Sequence, residues 1–168
     1  MKTTCKYLII LPFVFYSVVV LAQADSAKVN FIKAQFTAIN ANLKSYKKVV
    51  KEDTAQTTEG NEVRLYFKGD TIKKIVAEYY GETGKSLEEY YFFNKKLIFY
   101  YFREDHYKVP IYVNSSVKIA STKETRYYLS NGKIFLVKLT PKATVSSFEY
   151  NKLSVETQKE AGRLLHLK

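Results

Sequence analysis

Three stretches of the chain share one pattern and decide its fold: LYFKGDTI (65–72), YYFFNKKL (90–97) and YYLSNGKI (127–134). Each has an apolar or aromatic run, a two-residue turn and a second apolar run. Asn-Gly is a strong hairpin signal because a type I′ turn needs positive φ at both central residues, and Gly-Asp suits a type II′ turn. Three antiparallel hairpins are therefore predicted, with turns at Gly69-Asp70, Asn94-Lys95 and Asn131-Gly132.

The residues around these turns extend the hairpins into six strands. Gly81 and Gly84 bracket a turn between the first two hairpins, and Pro141 ends the third because proline cannot donate to a strand ladder. The expected strands are 62–68, 71–80, 86–93, 96–103, 123–130 and 133–139.

A helix is predicted on each side of the hairpins. Apolar residues recur every three or four positions from Val29 to Tyr46, which is the spacing of one helix face, so a helix is expected over 27–44. A short, lysine-rich edge strand is expected within 45–53. Ser154 is expected to cap a second helix that runs to Leu167.

These elements predict an α+β fold. The order is an N-terminal helix, a meandering antiparallel sheet of about six or seven strands and a C-terminal helix, with the helices on one face of the sheet. The connection over 104–122 is long for a compact domain, and such loops are often functional.

The N-terminus has the pattern of a secretory signal peptide. Lys2 and Lys6 precede an apolar run over 7–21, and Ala22-Gln23-Ala24 fits a small-x-small cleavage site. The run is shorter than the roughly 20 residues of a membrane-spanning helix, although an uncleaved anchor is the alternative. The prediction is a signal peptide over 1–24 and a single domain over 25–168.

The single cysteine and the charge bear on location and partners. Cys5 lies before the apolar run, so it cannot be the acylated cysteine of a lipoprotein, and a soluble periplasmic or extracellular protein without disulfides is expected. The formal charge of the whole chain is +11. An acidic glycan, a lipid headgroup or an acidic protein surface fits this charge better than nucleic acid does, because the chain is exported. The alternative is that the dispersed lysines only keep the protein soluble, by preventing edge-to-edge association of sheets.

The turns sort the strand side chains into two faces. Two-residue turns place Phe67 opposite Ile72, and likewise Phe92 opposite Leu97 and Leu129 opposite Ile134. That apolar face is expected to lie under the N-terminal helix. The other face is expected to be open to solvent, as one face of an antiparallel sheet often is.

The open face is the predicted ligand or partner surface, since tyrosine and arginine are enriched at binding hot spots. Cross-strand aromatic pairs also stabilise sheets without binding anything, and a one-residue register slip would exchange the faces. The predicted surface comprises Tyr66, Tyr91, Tyr128, Arg64, Arg126 and Phe135.

The leading functional hypothesis is a non-enzymatic binding or interaction module, with a homodimer as a variant. An inhibitor or accessory subunit of another exported protein is one alternative. A hydrolase of envelope material that uses loop 104–122 and His106 is another, although no second catalytic group is placed. No catalytic motif, metal-ligand spacing or cofactor fingerprint is present in the sequence, so neither cofactor nor metal is expected.

Overall fold

A computed structural model describes residues 11–54, 59–113 and 118–167, with side chains from residue 25 onward. The helices are α1 (Leu11–Ala41) and α2 (Tyr150–Leu165). The strands are β1 (Lys47–Lys51), β2 (Asn61–Lys68), β3 (Thr71–Gly81), β4 (Gly84–Phe93), β5 (Lys96–Tyr107), β6 (Ile119–Ser130) and β7 (Lys133–Thr140). This arrangement confirms the predicted α+β class, with a helix at each end of the chain.

The seven strands form one antiparallel sheet in the order of the chain, from β1 to β7. The predicted edge strand is confirmed: among the described strands, β1 pairs with β2 alone, and three of its five residues are lysines. Charged side chains on an edge strand discourage pairing with another sheet. All six hairpin strands are present.

The three turns have the backbone conformations that their residues predict. Asn94 and Lys95 have φ of 48° and 63°, and Asn131 has φ of 51°, so the second and third turns keep positive φ as type I′ requires. Gly69 has φ of 57° at the first position of its turn. The pairs next to the turns are those predicted, Phe67 with Ile72, Phe92 with Leu97 and Leu129 with Ile134.

A β-bulge follows each of these pairs, and the sequence analysis did not predict it. The register shifts at the same place in all three hairpins, so that one extra residue of the second strand has no partner of its own. The partner of Tyr91 is therefore Phe99, although an unbulged hairpin would pair Phe99 with Tyr90. The extra residues are Lys73, Ile98 and Phe135.

Each face of the sheet packs against a different helix. One cluster contains buried residues of α2 and the sheet: Val63, Leu65, Ile72, Ile75, Ala77, Tyr90, Phe92, Leu97, Leu129, Ile134, Ala161 and Leu164. The other joins α1 to the sheet and contains Ile32, Ile39, Tyr91, Ile98, Phe99 and Tyr128. We call these sides the α2 face and the α1 face.

The predicted assignment of the faces was therefore wrong. α1 covers the face of Tyr91 and Tyr128, and α2 covers the face of Phe92 and Leu129. The bulges are the physical reason. They move Phe99 and Leu136 onto the tyrosine side, which adds apolar surface there, so that both sides have to be buried. The prediction that both helices pack on one face of the sheet was also wrong.

The C-terminal helix begins earlier than predicted. Ser146 caps a 3-10 turn at Ser147–Glu149, and its capping box with Glu149 leads into α2. Ser154 is not a cap. It is buried inside α2, where its hydroxyl accepts a hydrogen bond from the Ile134 N–H at 2.9 Å and so joins the helix to β7.

Loop 104–122 is shorter than predicted. Residues 104–107 belong to β5 and residues 119–122 to β6, which leaves 108–118 as the connection. Within the connection, residues 114–117 lie outside the described residues.

The N-terminal helix predicted over 27–44 is part of the longer α1, which ends at Ala41 and is followed by a 3-10 turn at Leu43–Ser45. Residues 1–10 of the predicted signal peptide lie outside the described residues. In the part of the chain that the structure describes, no helix combines the length and the apolar character needed to cross a membrane. Cleavage after Ala24 remains a prediction.

Candidate functional site

The six residues of the predicted binding surface share one face of the sheet, but it is the face that α1 covers. Tyr91 is 0% exposed and Tyr128 is 5% exposed, and Phe135 packs against the same cluster. The predicted open row of tyrosines is therefore not formed. Tyr66, Arg64 and Arg126 are half-buried beside it.

Tyr91 is part of a buried polar network that fastens α1 to the sheet. Its hydroxyl donates to Glu89 Oε2 at 2.7 Å and accepts from Asn40 Nδ2 of α1 at 3.2 Å. Lys74 Nζ lies 2.7 Å from Glu89 Oε1 and donates to Asn40 Oδ1 at 2.9 Å. Burial lowers the pKa of Lys74, although the adjacent Glu89 carboxylate opposes that shift. Tyr91 therefore has a structural role.

Both predicted arginines are engaged with carboxylates. Arg64 Nη1 and Nη2 lie 2.5 Å from Glu62 and 2.6 Å from Glu78. Arg126 Nη2 donates to Glu124 at 2.7 Å. Ligand binding by either arginine would have to compete with these ion pairs.

His106 lies on β5, with its Nε2 3.2 Å from Glu104 Oε2. The described residues contain no group of three or more His, Cys, Asp or Glu side chains that could hold a metal ion. The hydrolase hypothesis stays an untested prediction.

The structure instead presents a cleft where the tips of the second and third hairpins part. Pairing between β5 and β6 ends at Phe99 with Tyr128, whereas each hairpin pairs as far as its own turn. Residues 96–98 and 129–131 therefore have no cross-strand partners between β5 and β6. We call this opening the hairpin-tip cleft.

On the α1 side, the cleft is a cavity of about 470 Å³. The Phe31 ring of α1 forms one wall, in an edge-to-face contact with Phe93 at 5.1 Å between ring centroids. Phe31 is 44% exposed, so part of its ring remains open to a further apolar contact. The other apolar lining residues are Ala27, Ile32, Leu97, Ile98 and Leu129.

On the α2 side, a second cavity of about 350 Å³ shares Lys96, Leu97 and Asn131 with the first. Its further apolar lining comes from the sheet and from α2: Phe92, Ala161, Gly162 and Leu165. Gln158 of α2 donates to the Gly132 carbonyl at 2.8 Å, so this wall is fixed to the turn. The shared residues make the two cavities neighbouring parts of one cleft.

The rim of the cleft is basic. Lys28 and Lys96 line the α1 side, and Lys95 and Lys96 line the α2 side. Among the described residues, no carboxylate lines either cavity. Lys28 has one exposed partner, Asp25, at 3.0 Å. The cleft thus combines apolar walls with three lysines, of which Lys28 is paired with Asp25, and with the side-chain amides of Asn94, Asn131 and Gln158.

Sequence reasoning did not identify this cleft. It treated Asn94, Lys95 and Asn131 only as turn residues. The one local signal is the lysine pair Lys95-Lys96, which follows the aromatic run 90–93 after Asn94, and it indicates a site only together with the tip of the neighbouring hairpin. No family model, curated protein or solved structure matches this chain.

Proposed function

We propose that the protein is an exported, non-enzymatic binding module that holds a single-chain anionic amphiphile in the hairpin-tip cleft. The observation that supports this proposal is the lining of the cleft. Its walls are apolar, lysines lie at its rim, and none of the described residues that line it is a carboxylate. The proposal keeps the binding module predicted from the sequence and moves its site from the buried tyrosines to the tips of the hairpins.

The size and lining of the cleft suit such a ligand. Pockets for small molecules usually enclose about 300–1,000 Å³ and are mostly apolar with a few polar groups that orient the ligand. The α1-side cavity of about 470 Å³ lies within that range. An acyl chain would contact Phe31, Ile98 and Leu129, and each methylene removed from water would stabilise the complex by about 0.8 kcal/mol.

The lysines would select the headgroup. Lys28 and Lys96 can bring their ammonium groups to the cleft mouth while their aliphatic stems cover its walls. An anion at the mouth meets cations without displacing an internal carboxylate from Lys96, which has no ion-pair partner among the described residues. Anionic headgroups are therefore preferred over neutral ones of the same chain length.

Calorimetric titration of the purified protein with decanoate, and in parallel with decanol, tests this function. We expect the carboxylate to bind more tightly than the alcohol. Replacing both Lys28 and Lys96 by Met should weaken decanoate binding by about tenfold, since partly exposed ion pairs are each worth up to about 1 kcal/mol. Phe31→Ser should weaken the binding of both decanoate and decanol.

The matched control is the double substitution Lys44→Met and Lys47→Met, which removes the same charge near the C-terminal end of α1 and on edge strand β1. It should leave both affinities unchanged. Equal decanoate binding by the cleft variant and the control variant would contradict the role of the lysines. Undiminished binding by Phe31→Ser would move the ligand out of the cleft.

A further inference from the structure

A second, polar cleft lies at the opposite end of the strands, beside the β3–β4 turn. It has two adjoining cavities, of about 160 Å³ and about 230 Å³, which share Tyr80, Lys85, Ser86 and Asp105. The smaller cavity is lined by Glu78, Tyr80, Lys85, Ser86, Leu87, Arg103 and Asp105. None of these residues belongs to the hairpin-tip cleft.

A buried carboxylate fixes one wall of this polar cleft. Asp105 is 2% exposed, and its Oδ1 accepts hydrogen bonds from Thr122 Oγ1 at 2.6 Å and from Arg103 Nε at 3.0 Å. Desolvation alone would raise the pKa of Asp105, but these hydrogen bonds outweigh it and lower the pKa, so the side chain is a carboxylate at neutral pH. The two hydrogen bonds therefore fix the position of the Asp105 carboxylate in the wall of the cleft.

The cations of the cleft keep unused hydrogen-bond donors. Arg103 uses Nε for Asp105, and its two Nη groups have no partner among the described residues. Lys85 is exposed and has no ion-pair partner within the described chain. Glu78, by contrast, is already bound to Arg64 at 2.6 Å. The groups left to meet a ligand are therefore mainly donors.

Tyr80 adds an aromatic surface. It is 43% exposed, and its hydroxyl donates to Glu78 Oε2 at 2.8 Å, which holds the ring at the cleft. Leu87 provides an apolar neighbour. An exposed ring beside fixed donors and acceptors offers contacts to a molecule with one apolar face and several hydroxyl groups.

We propose that this polar cleft binds one sugar residue that carries a carboxylate, that is, a uronic acid within an acidic glycan. The guanidinium of Arg103 offers its Nη pair to the carboxylate in the planar geometry that arginine uses for such groups, and Lys85 adds a second positive charge. Asp105 accepts a hydrogen bond from a ring hydroxyl, and the apolar face of the ring lies on Tyr80. The smaller cavity suits a single ring.

The site does not depend on the amphiphile proposed for the hairpin-tip cleft. Trigalacturonate is the probe, and neutral galactotriose is its matched control, both titrated by calorimetry into the purified protein. We expect trigalacturonate to bind and galactotriose to bind at least about tenfold more weakly, as the loss of charge-assisted hydrogen bonds implies.

Arg103→Gln and Lys85→Met should each weaken trigalacturonate binding by about tenfold or more. The control Lys123→Met removes an exposed cation from the neighbouring strand β6 and should have no effect. Because Arg103 also holds Asp105, the melting temperature of Arg103→Gln is measured alongside, and Lys85→Met tests the site without touching that contact.

Three results would overturn the proposal. They are no heat of trigalacturonate binding up to about 10 mM, equal affinity for galactotriose, and unchanged affinity in Lys85→Met. Decanoate binding is measured in the same preparations, so failure here is distinguishable from failure at the hairpin-tip cleft.

Discussion

The guanidinium of Arg163 in α2 donates two hydrogen bonds to the carboxylate of Asp53. Nη1 lies 2.9 Å from Oδ1 and Nη2 lies 2.5 Å from Oδ2, and Asp53 is fully buried. Tyr79 donates to the same carboxylate at 3.1 Å, and the Asn61 side chain pairs with the Asp53 backbone in both directions. This contact ties the last helix to the segment that follows β1, 110 residues earlier in the chain.

Arg163→Gln should destabilise the protein by about 3–5 kcal/mol, because it removes the cationic partner of the buried Asp53 carboxylate. Urea unfolding followed by circular dichroism measures the loss. Lys152→Gln is the control, since its partner Glu156 lies 3.9 Å away and both side chains are largely exposed. A loss for Arg163→Gln no larger than that of the control would show that the Asp53 contact carries no stability.

Glu88 should make the protein less stable as the pH rises. Desolvation raises its pKa above the ordinary value of 4.5, against the hydrogen bond from Tyr90. Glu160 and Asp53 act in the same direction as desolvation, and Arg163 opposes them. The folded state therefore holds the Glu88 proton more tightly than the unfolded state, and that contribution is complete below pH 4.5 and is lost as the pH rises through the raised pKa.

Glu88→Gln checks this pH dependence. The variant should gain stability relative to the natural chain at neutral pH, and the gain should disappear below pH 4.5, where both side chains are neutral. Urea unfolding from pH 4 to pH 8 gives both curves. Parallel curves across that range would contradict the assigned burial effect.

Gly84 and Gly162 should respond in opposite ways to substitution by alanine. A Cβ on Gly84 would collide with the backbone carbonyl oxygen of Asp105, so Gly84→Ala should cost about 1–3 kcal/mol. A Cβ on Gly162 in α2 meets nothing within 4 Å, so Gly162→Ala should stabilise by about 0.5–1 kcal/mol. Thermal unfolding of the two variants tests the pair, and the same sign in both would refute the close approach of β4 to β5.

Tyr91→Ser should unfold or strongly destabilise the protein, by about 3–5 kcal/mol, because a fully buried ring and its hydrogen bonds to α1 are lost. Tyr112→Ser, at a ring that is 72% exposed, is the control and should change stability little. Urea denaturation measures both. An intact fold in Tyr91→Ser would restore the open tyrosine face that the sequence analysis expected.

The hairpins were accessible from sequence because their signals are local. Asn131-Gly132 has positive φ at both residues, which Asn-Gly favours in a type I′ turn, and this turn sets the first pair of the hairpin, Leu129 with Ile134. The edge strand β1 and both helices were predicted from residue spacing and charge, and the structure confirms them. The α2 cap was missed because Ser146 and Ser154 both precede acceptable helical residues, and only contact with Ile134 distinguishes them.

The candidate sites were harder to predict from the sequence than the hairpins. Arg64 and Arg126 were predicted to lie on an open face of the sheet, but α1 covers that face and both arginines are paired with carboxylates. The hairpin-tip cleft depends on where pairing between β5 and β6 stops, and the polar cleft depends on Arg103 and Asp105 meeting Lys85 from a different strand. Neither juxtaposition has a signature in any single stretch of the chain.

Short-range conformational preference thus specified turns, strands and helices in this protein, since each depends on a few adjacent residues. Which face each helix covers, and therefore which side chains reach solvent, depended on packing between distant segments. Two of the three bulges transfer Phe99 and Leu136 to the side of Tyr91, and that side then has too much apolar surface to remain in water. The free energy of burying that surface is a property of the assembled sheet and both helices, so it emerges only when they pack together.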